Sequence, residues 1–231
     1  MAISREKFKV YKNVFDSFTE KTLQKLSSQG HFEELKSPVF VGKESNVFTA
    51  SKGRDTVIVK IYRLESCDFN RMFDYIRNDA RYADLKNQRR KVIFAWAQRE
   101  YRNLMIAREN GVNVPTPSAL LNHVLVLQMI GKNIPAQRLK DSIPRNPKQF
   151  FGKVLENMKK LNNAGLVHGD LSEYNILNYD EKPYFIDFSQ STLLKSESSG
   201  DLLKRDIKNI SRFFTKIGVK TSEDEILSYL K

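Results

Sequence analysis

The stretch LVHGDLSEYNIL, Leu166 to Leu177, sets a histidine, two carboxylates, a serine and an asparagine between aliphatic residues that read as buried anchors. Loops that interrupt apolar segments and carry fixed polar groups are favoured places for chemistry. Asp170 and Asn175 stand five apart, and Asp187 follows twelve residues later, after the apolar run YFI. A hard cation such as Mg2+ takes oxygen ligands and keeps company with substrate phosphates, so an Asn and an Asp from adjacent loops suit it. Asn175 and Asp187 are therefore the metal candidates. Asp170 remains for another task, accepting a hydroxyl proton or orienting a nucleophile opposite a phosphoryl group.

HGDLSEYN keeps the HxDxxxxN spacing of the protein-kinase catalytic loop, and IDFS stands where such enzymes carry DFG, with Ser189 in place of the glycine. A kinase also needs a strand lysine upstream to bind the α- and β-phosphates. Lys60 in VIVKIY has alternating aliphatic neighbours and fits that place. An interior lysine needs a carboxylate to offset its desolvation. Glu100 answers, because it lies in the middle of VIFAWAQREYRNLMIARENG, Val92 to Gly111, whose apolar residues recur at helical spacing. Each match alone is weak. Their order decides: glycine turn, strand lysine, helix glutamate, connection, HxDxxxxN, strand aspartate.

The rest of the chain reads as an α+β, two-lobed kinase-like fold with a small β-rich N-lobe and a helical C-lobe. Residues 8–36 read as an amphipathic helix stopped by Gly30, and 1–38 form an N-terminal helical extension. Strands rich in Val, Ile and Phe follow from Pro38, and 39–130 make the N-lobe. Residues 67–91 are charged and aromatic without a clean apolar face, a helix or loop. His123 to Gly131 reads as a buried strand leading into a C-lobe over 131–231. There a helix over 150–165, a strand over 183–189 and helices near 201–218 and 222–230 complete the fold.

The 231 residues are 40% hydrophobic and 11% aromatic, which points to an ordered globular chain without repeats. No secretory leader and no long apolar run is visible, so a soluble, cytoplasmic protein is expected. The single cysteine, Cys67, reads as an ordinary thiol. Lys and Arg outnumber Asp and Glu by 39 to 27, and the resulting +12 attracts phosphate-rich partners. The densest run is KNQRRK, Lys86 to Lys91, with Arg77, Arg81 and Arg99 nearby and Tyr75, Tyr82 and Trp96 interleaved, a candidate RNA-facing surface.

VGKESNVF, VKIYR, EYRNL, VHGDLSEYNIL and FIDFSQS together resemble the RIO family of atypical serine/threonine protein kinases from about Val39 onward, and DLSEYN and IDFSQS resemble its type-one branch. The resemblance implies that Gly42, Lys43, Glu44, Ser45, Asn46 and Val47 form the phosphate-binding loop, with one glycine where typical kinases have three. It implies a hinge at Gln128 to Ile130 that meets adenine through backbone groups. It also implies ATP with Mg2+, or Mn2+ in its stead, as ligands, and the immature small ribosomal subunit or its rRNA as partner. ATP hydrolysis, through an aspartyl phosphate on Asp187, is an expected alternative to protein phosphorylation. No APE motif is visible, and Ser66, Ser196, Ser198 and Ser199 are candidate acceptors. Two rivals stand beside this reading: a small-molecule phosphotransferase of the antibiotic-kinase type, and an RNA-associated assembly module using nucleotide only as a conformational ligand.

Overall fold

The computed structural model describes residues 15–65, 68–77, 79–82 and 84–231. They divide into two compact units, with the chain passing from one to the other more than once. The first unit takes residues up to Ile76, Asp84–Tyr101 and Pro117–Met129; the second takes Arg77–Ala83, Arg102–Thr116 and Ile130–Lys231. The mixed α+β character expected from the motifs is present. Cys67 and Ser66 lie outside the described residues.

The first unit is built on an antiparallel sheet of β1 (Glu34–Val41), β2 (Ser45–Lys52), β3 (Asp55–Tyr62), β4 (Pro117–Leu121) and β5 (Val124–Gln128), in the order β1-β2-β3-β5-β4. Side chains alternate between faces along each strand. Val57, Val59 and Ile61 therefore share one face with Phe48, Ala50, Val124 and Val126, and helix α1 (Ser17–Ser28) covers it with Leu23 and Leu26. Lys60 belongs to the opposite face. Both outer strands are irregular: the register shifts around Pro38 in β1 and between Pro117 and Ala119 in β4.

Helix α1 is shorter than the sequence pattern implied. Asp16 caps it by accepting the amides of Phe18 and Thr19, and Gly30 follows its end in a left-handed conformation, φ 78°. Residues 34–36 belong to β1, where Leu35 alone is buried, and residues 8–14 lie outside the described residues. The helix is also part of the first unit's core, not an extension apart from it. Its side chains reach the β4–β5 turn: Thr19 Oγ1 lies 2.9 Å from His123 Nε2, Thr22 Oγ1 accepts Asn122 Nδ2 at 3.2 Å, and the His123 ring stacks against both Phe18 and Phe94, which also stack on each other. Burial of that imidazole lowers its pKa to about 4, against the pull of Asp16, so it is neutral at physiological pH.

The region after Glu65 is more ordered than its composition implied. Helix α2 (Phe69–Arg77) and a 3-10 turn (Ala80–Tyr82) precede helix α3 (Arg89–Glu109). This corrects the basic surface. Trp96, Arg99 and Tyr82 are buried, Arg81 is paired with Asp79, and Arg89 donates to the carbonyls of Leu64 and Glu65. Of the interleaved aromatics Tyr82 and Trp96 are core and Tyr75 is half-buried, and Arg77, Lys86, Arg89, Arg90 and Lys91 stay exposed.

In the second unit, α4 (Pro147–Asn163) and α5 (Ser199–Lys216) both pack against α6 (Glu223–Leu230), whose first turn is closed by a reciprocal Ser222–Glu225 capping box. Short strands carry the loops: β6 (Gln137–Arg138) and β9 (Lys182–Phe185) flank β8 (Ile176–Tyr179), and β7 (Leu166–Val167) pairs with β10 (Thr192–Leu193). The expected strand over 183–189 ends at Phe185, because the chain turns into a left-handed residue and a 3-10 turn. No helix among the described residues is long and apolar enough to cross a membrane.

Leu23→Ala removes a fully buried side chain where α1 meets the sheet. Stability of the first unit is expected to fall by about 2–5 kcal/mol, read as a lower urea midpoint with β-sheet circular dichroism as the probe.

Candidate active site

In the first unit the alternation of β3 delivers Lys60 to the face opposite α1. Its Nζ donates to Glu100 Oε1 at 2.8 Å, and both side chains are nearly inaccessible, 8% and 1% exposed. Tyr62, on the same face of β3, donates its hydroxyl to Glu100 Oε2, and the Lys60 ammonium lies 5.0 Å from the Tyr62 ring centre. The carboxylate thus has a partner on each oxygen, which is what a buried charge requires. The pairing of Lys60 with Glu100 was legible in the sequence; Tyr62 was not.

The loop at Gly42–Glu44 is a tight turn between β1 and β2. Gly42 N donates to Ser45 O at 3.0 Å, Arg63 N to Glu44 O at 2.9 Å, and Arg63 Nη1 to Gly42 O at 3.3 Å. A Cβ on Gly42 would meet the Phe40 ring at 2.5 Å. Lys43 is exposed and Ser45 is buried; Val47 stands opposite Lys60 on the same face. Asn46 is a correction. It pairs with Ile61 in register, so its side chain belongs to the α1 face, where it lines a cavity of about 280 Å3 with Phe15, Asp16 and Thr19. An Asn46 side chain on that face is separated by the sheet from Lys60. At the expected hinge, Gln128 closes β5, and the chain leaves the first unit between Met129 and Ile130. Ile130 O already accepts Ala136 N at 2.8 Å.

In the second unit, three of the expected residues come together. Asn175 Nδ2 donates to Asp170 O at 2.8 Å and to Asp170 Oδ2 at 3.1 Å. Ile186 N donates to Asn175 O at 3.0 Å, which sets Asp187 beside Asn175. Asp187 has φ 63° and ψ 68°, a left-handed conformation that Asp tolerates better than most residues but that still costs about 1–3 kcal/mol. Ser189 Oγ donates to Asp187 Oδ1 at 2.7 Å. His168 accepts Asp170 N on Nδ1 at 3.3 Å and reaches Ile186 O with Nε2 at 3.0 Å, so it is the Nε2-protonated tautomer that ties the two loops together. Gly169 is required here: φ is 80°, and a Cβ would lie 2.9 Å from Gln190 O.

The residue that sequence reasoning missed is Asp206 on α5. Its Oδ2 accepts Gly169 N at 2.8 Å and its Oδ1 accepts Leu171 N at 2.7 Å, gripping the backbone on either side of Asp170. Arg205 donates to Gly169 O, and Asn209 Nδ2 to Leu171 O at 3.2 Å. The signal was available: Asp206 takes the i+4 place in a stripe whose other members, Leu202, Ile210 and Phe214 at i, i+8 and i+12, are apolar. Burial pushes its carboxyl up to about 7 against the pull of the two amides and Arg205.

Among the described residues, no group of three or more His, Cys, Asp or Glu is poised to hold a metal ion. Asn175 and Asp187 alone fit a cation that completes its shell with phosphate oxygens and water, as Mg2+ does. With Nδ2 committed to Asp170, Oδ1 is the ligand atom that Asn175 offers. Of the candidate acceptor serines, Ser199 is buried and donates to Leu194 O at 2.7 Å, which removes it; Ser196 and Ser198 lie 3.3 Å apart near the start of α5.

The arrangement matches a known family. The profile of the RIO domain fits residues 46–226. The chain belongs to the RIO family. It is 37% identical over 227 residues to the RIO-type serine/threonine-protein kinase Rio1 of Haloferax volcanii and 41% identical to that of Methanocaldococcus jannaschii, covering 97% of this chain and 78% of each relative. The serine/threonine-protein kinase rio1 of Dictyostelium discoideum is 35% identical, and there the aligned part is 39% of the relative. The RIO chain is accordingly an enzyme of the serine/threonine-protein kinase class. Its fold is shared with the Rio2 kinase of Chaetomium thermophilum, solved as an ADP/Mg2+-phosphoaspartate complex: TM-score 0.71 at 22% identity, over 91% of this chain and 66% of that one.

A carboxyl that holds its proton more tightly folded than unfolded stabilises the fold at low pH and loses that contribution as pH rises from about 4 through 7. Melting temperatures of the RIO chain over pH 5–8 are expected to carry this decline. Asp206→Asn should abolish the slope while melting lower at pH 5, since its NH2 faces a backbone N–H.

Proposed function

We propose that this RIO chain transfers the γ-phosphoryl group of ATP with Mg2+ bound between Asn175 and Asp187. The observation that supports this best is the grouping of Asp170, Asn175 and Asp187, held by the Asn175 side chain on Asp170, by Asp206 on the amides either side of Asp170, and by Ile186 N on Asn175 O. Bound Mg2+ would neutralise charge on the phosphates and polarise the transferred group. Lys60, held by Glu100 and Tyr62, binds the α- and β-phosphates through its ammonium. Asp170 orients the attacking group. Mn2+ has the same ligand preferences and serves in its place.

The attacking group is either a serine or threonine hydroxyl, whose proton Asp170 accepts, or the Asp187 carboxylate itself. In the second case an Asp187 oxygen attacks the γ-phosphorus, the bond from phosphorus to the bridging oxygen breaks, and ADP leaves. Water deprotonated by Asp170 then displaces the phosphate and restores the carboxylate. The Rio2 kinase solved with ADP, Mg2+ and phosphoaspartate supports this branch. As partner we propose the immature small ribosomal subunit, in the cytoplasm, approached through the exposed Lys86, Arg90 and Lys91 and the +12 charge of the chain.

Asp170→Ala is expected to retain ATP binding and to lose turnover by several orders of magnitude, measured as labelled phosphate release; unchanged turnover removes it from the mechanism. Lys60→Ala should weaken nucleotide binding and turnover together. Protein labelled from γ-labelled ATP should release its label to hydroxylamine and fail to label as Asp187→Asn. Label that survives hydroxylamine and persists in that variant places it on a hydroxyl instead.

A further inference from the structure

Asn103 lies on α3, three residues past Glu100, and is fully buried. Its side chain serves three partners, all within the second unit. Nδ2 donates to the carbonyl oxygens of Phe188 at 3.2 Å and Ser191 at 2.8 Å, and Oδ1 accepts from Arg81 Nη1 at 3.0 Å. An amide engaged at both ends has one orientation, because turning it would set its oxygen against two carbonyls and its NH2 against a guanidinium. Phe188 and Ser191 bound the 3-10 turn that starts from left-handed Asp187, a conformation that persists only where the surroundings hold it. Two further bonds grip the same turn: Ser189 Oγ to Asp187 Oδ1, and Ser191 Oγ to His168 O at 2.9 Å.

Behind Asn103 stands Arg81. Its guanidinium meets the buried Asp79 carboxylate through Nη2 to Oδ2 at 2.6 Å and Nε to Oδ1 at 2.9 Å. Asp79 also accepts the Arg81 amide at 3.1 Å and anchors the turn through Tyr82 N to Asp79 O at 2.9 Å. A continuous polar chain therefore runs from the segment 79–82 through one helix residue to the backbone of the metal loop. Outer partners of this kind orient the ligands of a metal and set its affinity.

We infer that Asn103 is a positioning residue for Mg2+ capture at Asp187, and that Arg81 with Asp79 makes this capture depend on the docking of residues 79–82. The inference rests on Asp187 being a metal ligand. It gives the charged stretch ahead of α3 a task separate from any RNA contact: docked, it keeps Asp187 in its left-handed turn; undocked, it leaves Oδ1 of Asn103 unpaired and the turn loosely held.

The test uses the full chain and a fluorescent ADP analogue, titrated at rising Mg2+ and again in EDTA, with Mn2+ binding followed by electron paramagnetic resonance. Asn103→Ala is expected to raise half-saturating Mg2+ about tenfold while leaving affinity in EDTA unchanged. Arg81→Ala removes a side chain that is 19% exposed; it should melt lower than the wild type, because buried Asp79 loses its guanidinium, and at a temperature where it is folded a smaller rise in the same direction is expected. Arg81→Lys should recover part of it, and the double variant should be no worse than Asn103→Ala, because both act through one amide. If Asn103→Ala does not fold, Arg81→Ala decides alone. Unchanged Mg2+ and Mn2+ dependence in Arg81→Ala, an equal loss in EDTA, or additive effects overturn the inference. Asp187→Asn separates the two failures: if its Mg2+ dependence is that of the wild type, the ligand reading itself falls; if that variant loses Mg2+ dependence and Arg81→Ala keeps it, only the relay falls.

Discussion

One buried carboxylate organises the second unit. Asp206 accepts the amides of Gly169 and Leu171, and between them the chain has no freedom left but to present Asp170. Those amides lie in a loop, where neither helix nor sheet would satisfy them, and a buried N–H without a partner is costly. A carboxylate on a regular helix answers both at once, so the rigidity of α5 is passed to a loop that has no regular structure of its own. Burial in turn raises the pKa of Asp206 to about 7, and Arg205 beside it moderates that cost.

The same device recurs around it with different chemistry. His168 spans from the Asp170 amide to Ile186 O, Ser191 Oγ reaches back to His168 O, and Asn175 closes on Asp170. These bonds tie the loop from His168 to Asn175 to itself and to the segment from Ile186 to Ser191. In the first unit the arrangement is simpler, because Lys60 stands on a strand and needs only Glu100 and Tyr62 to hold it. Regular elements therefore place the lysine, whereas side-chain to backbone bonds place the aspartates.

What the sequence disclosed follows this division. The pairing of Lys60 with Glu100 and the closeness of Asp170, Asn175 and Asp187 were legible because spacing in a motif is a local property. The helices over α3, α4 and α5 were legible from periodicity. Asn46 was misplaced because a strand residue's face depends on register, and a shift of one position reverses it. The aromatic residues Tyr82 and Trp96 were read as a surface because composition alone does not reveal burial. Residues 34–36 were absorbed into a helix because β1, an edge strand in which Leu35 alone is buried, shows little alternation. Asp206 went unread for the opposite reason: its signal, a charge inside an apolar stripe, was local, but its meaning lay in a loop far away in sequence.

The two outer strands of the five-stranded sheet bear on how the molecule behaves in company. Strand β1 exposes Val39, Phe40 and Val41 at the edge of the described sheet, a template on which another extended chain would pair. Yet β1 and β4 each carry a proline and a break in register, around Pro38 and after Pro117. Proline withdraws a donor from the ladder, and the breaks bend the strand away from the flat geometry that an added strand needs. Growth of the sheet is thus discouraged at both ends. The apolar edge beside the Gly42–Glu44 turn, which no other described strand covers, is thereby kept from becoming a seed for aggregation.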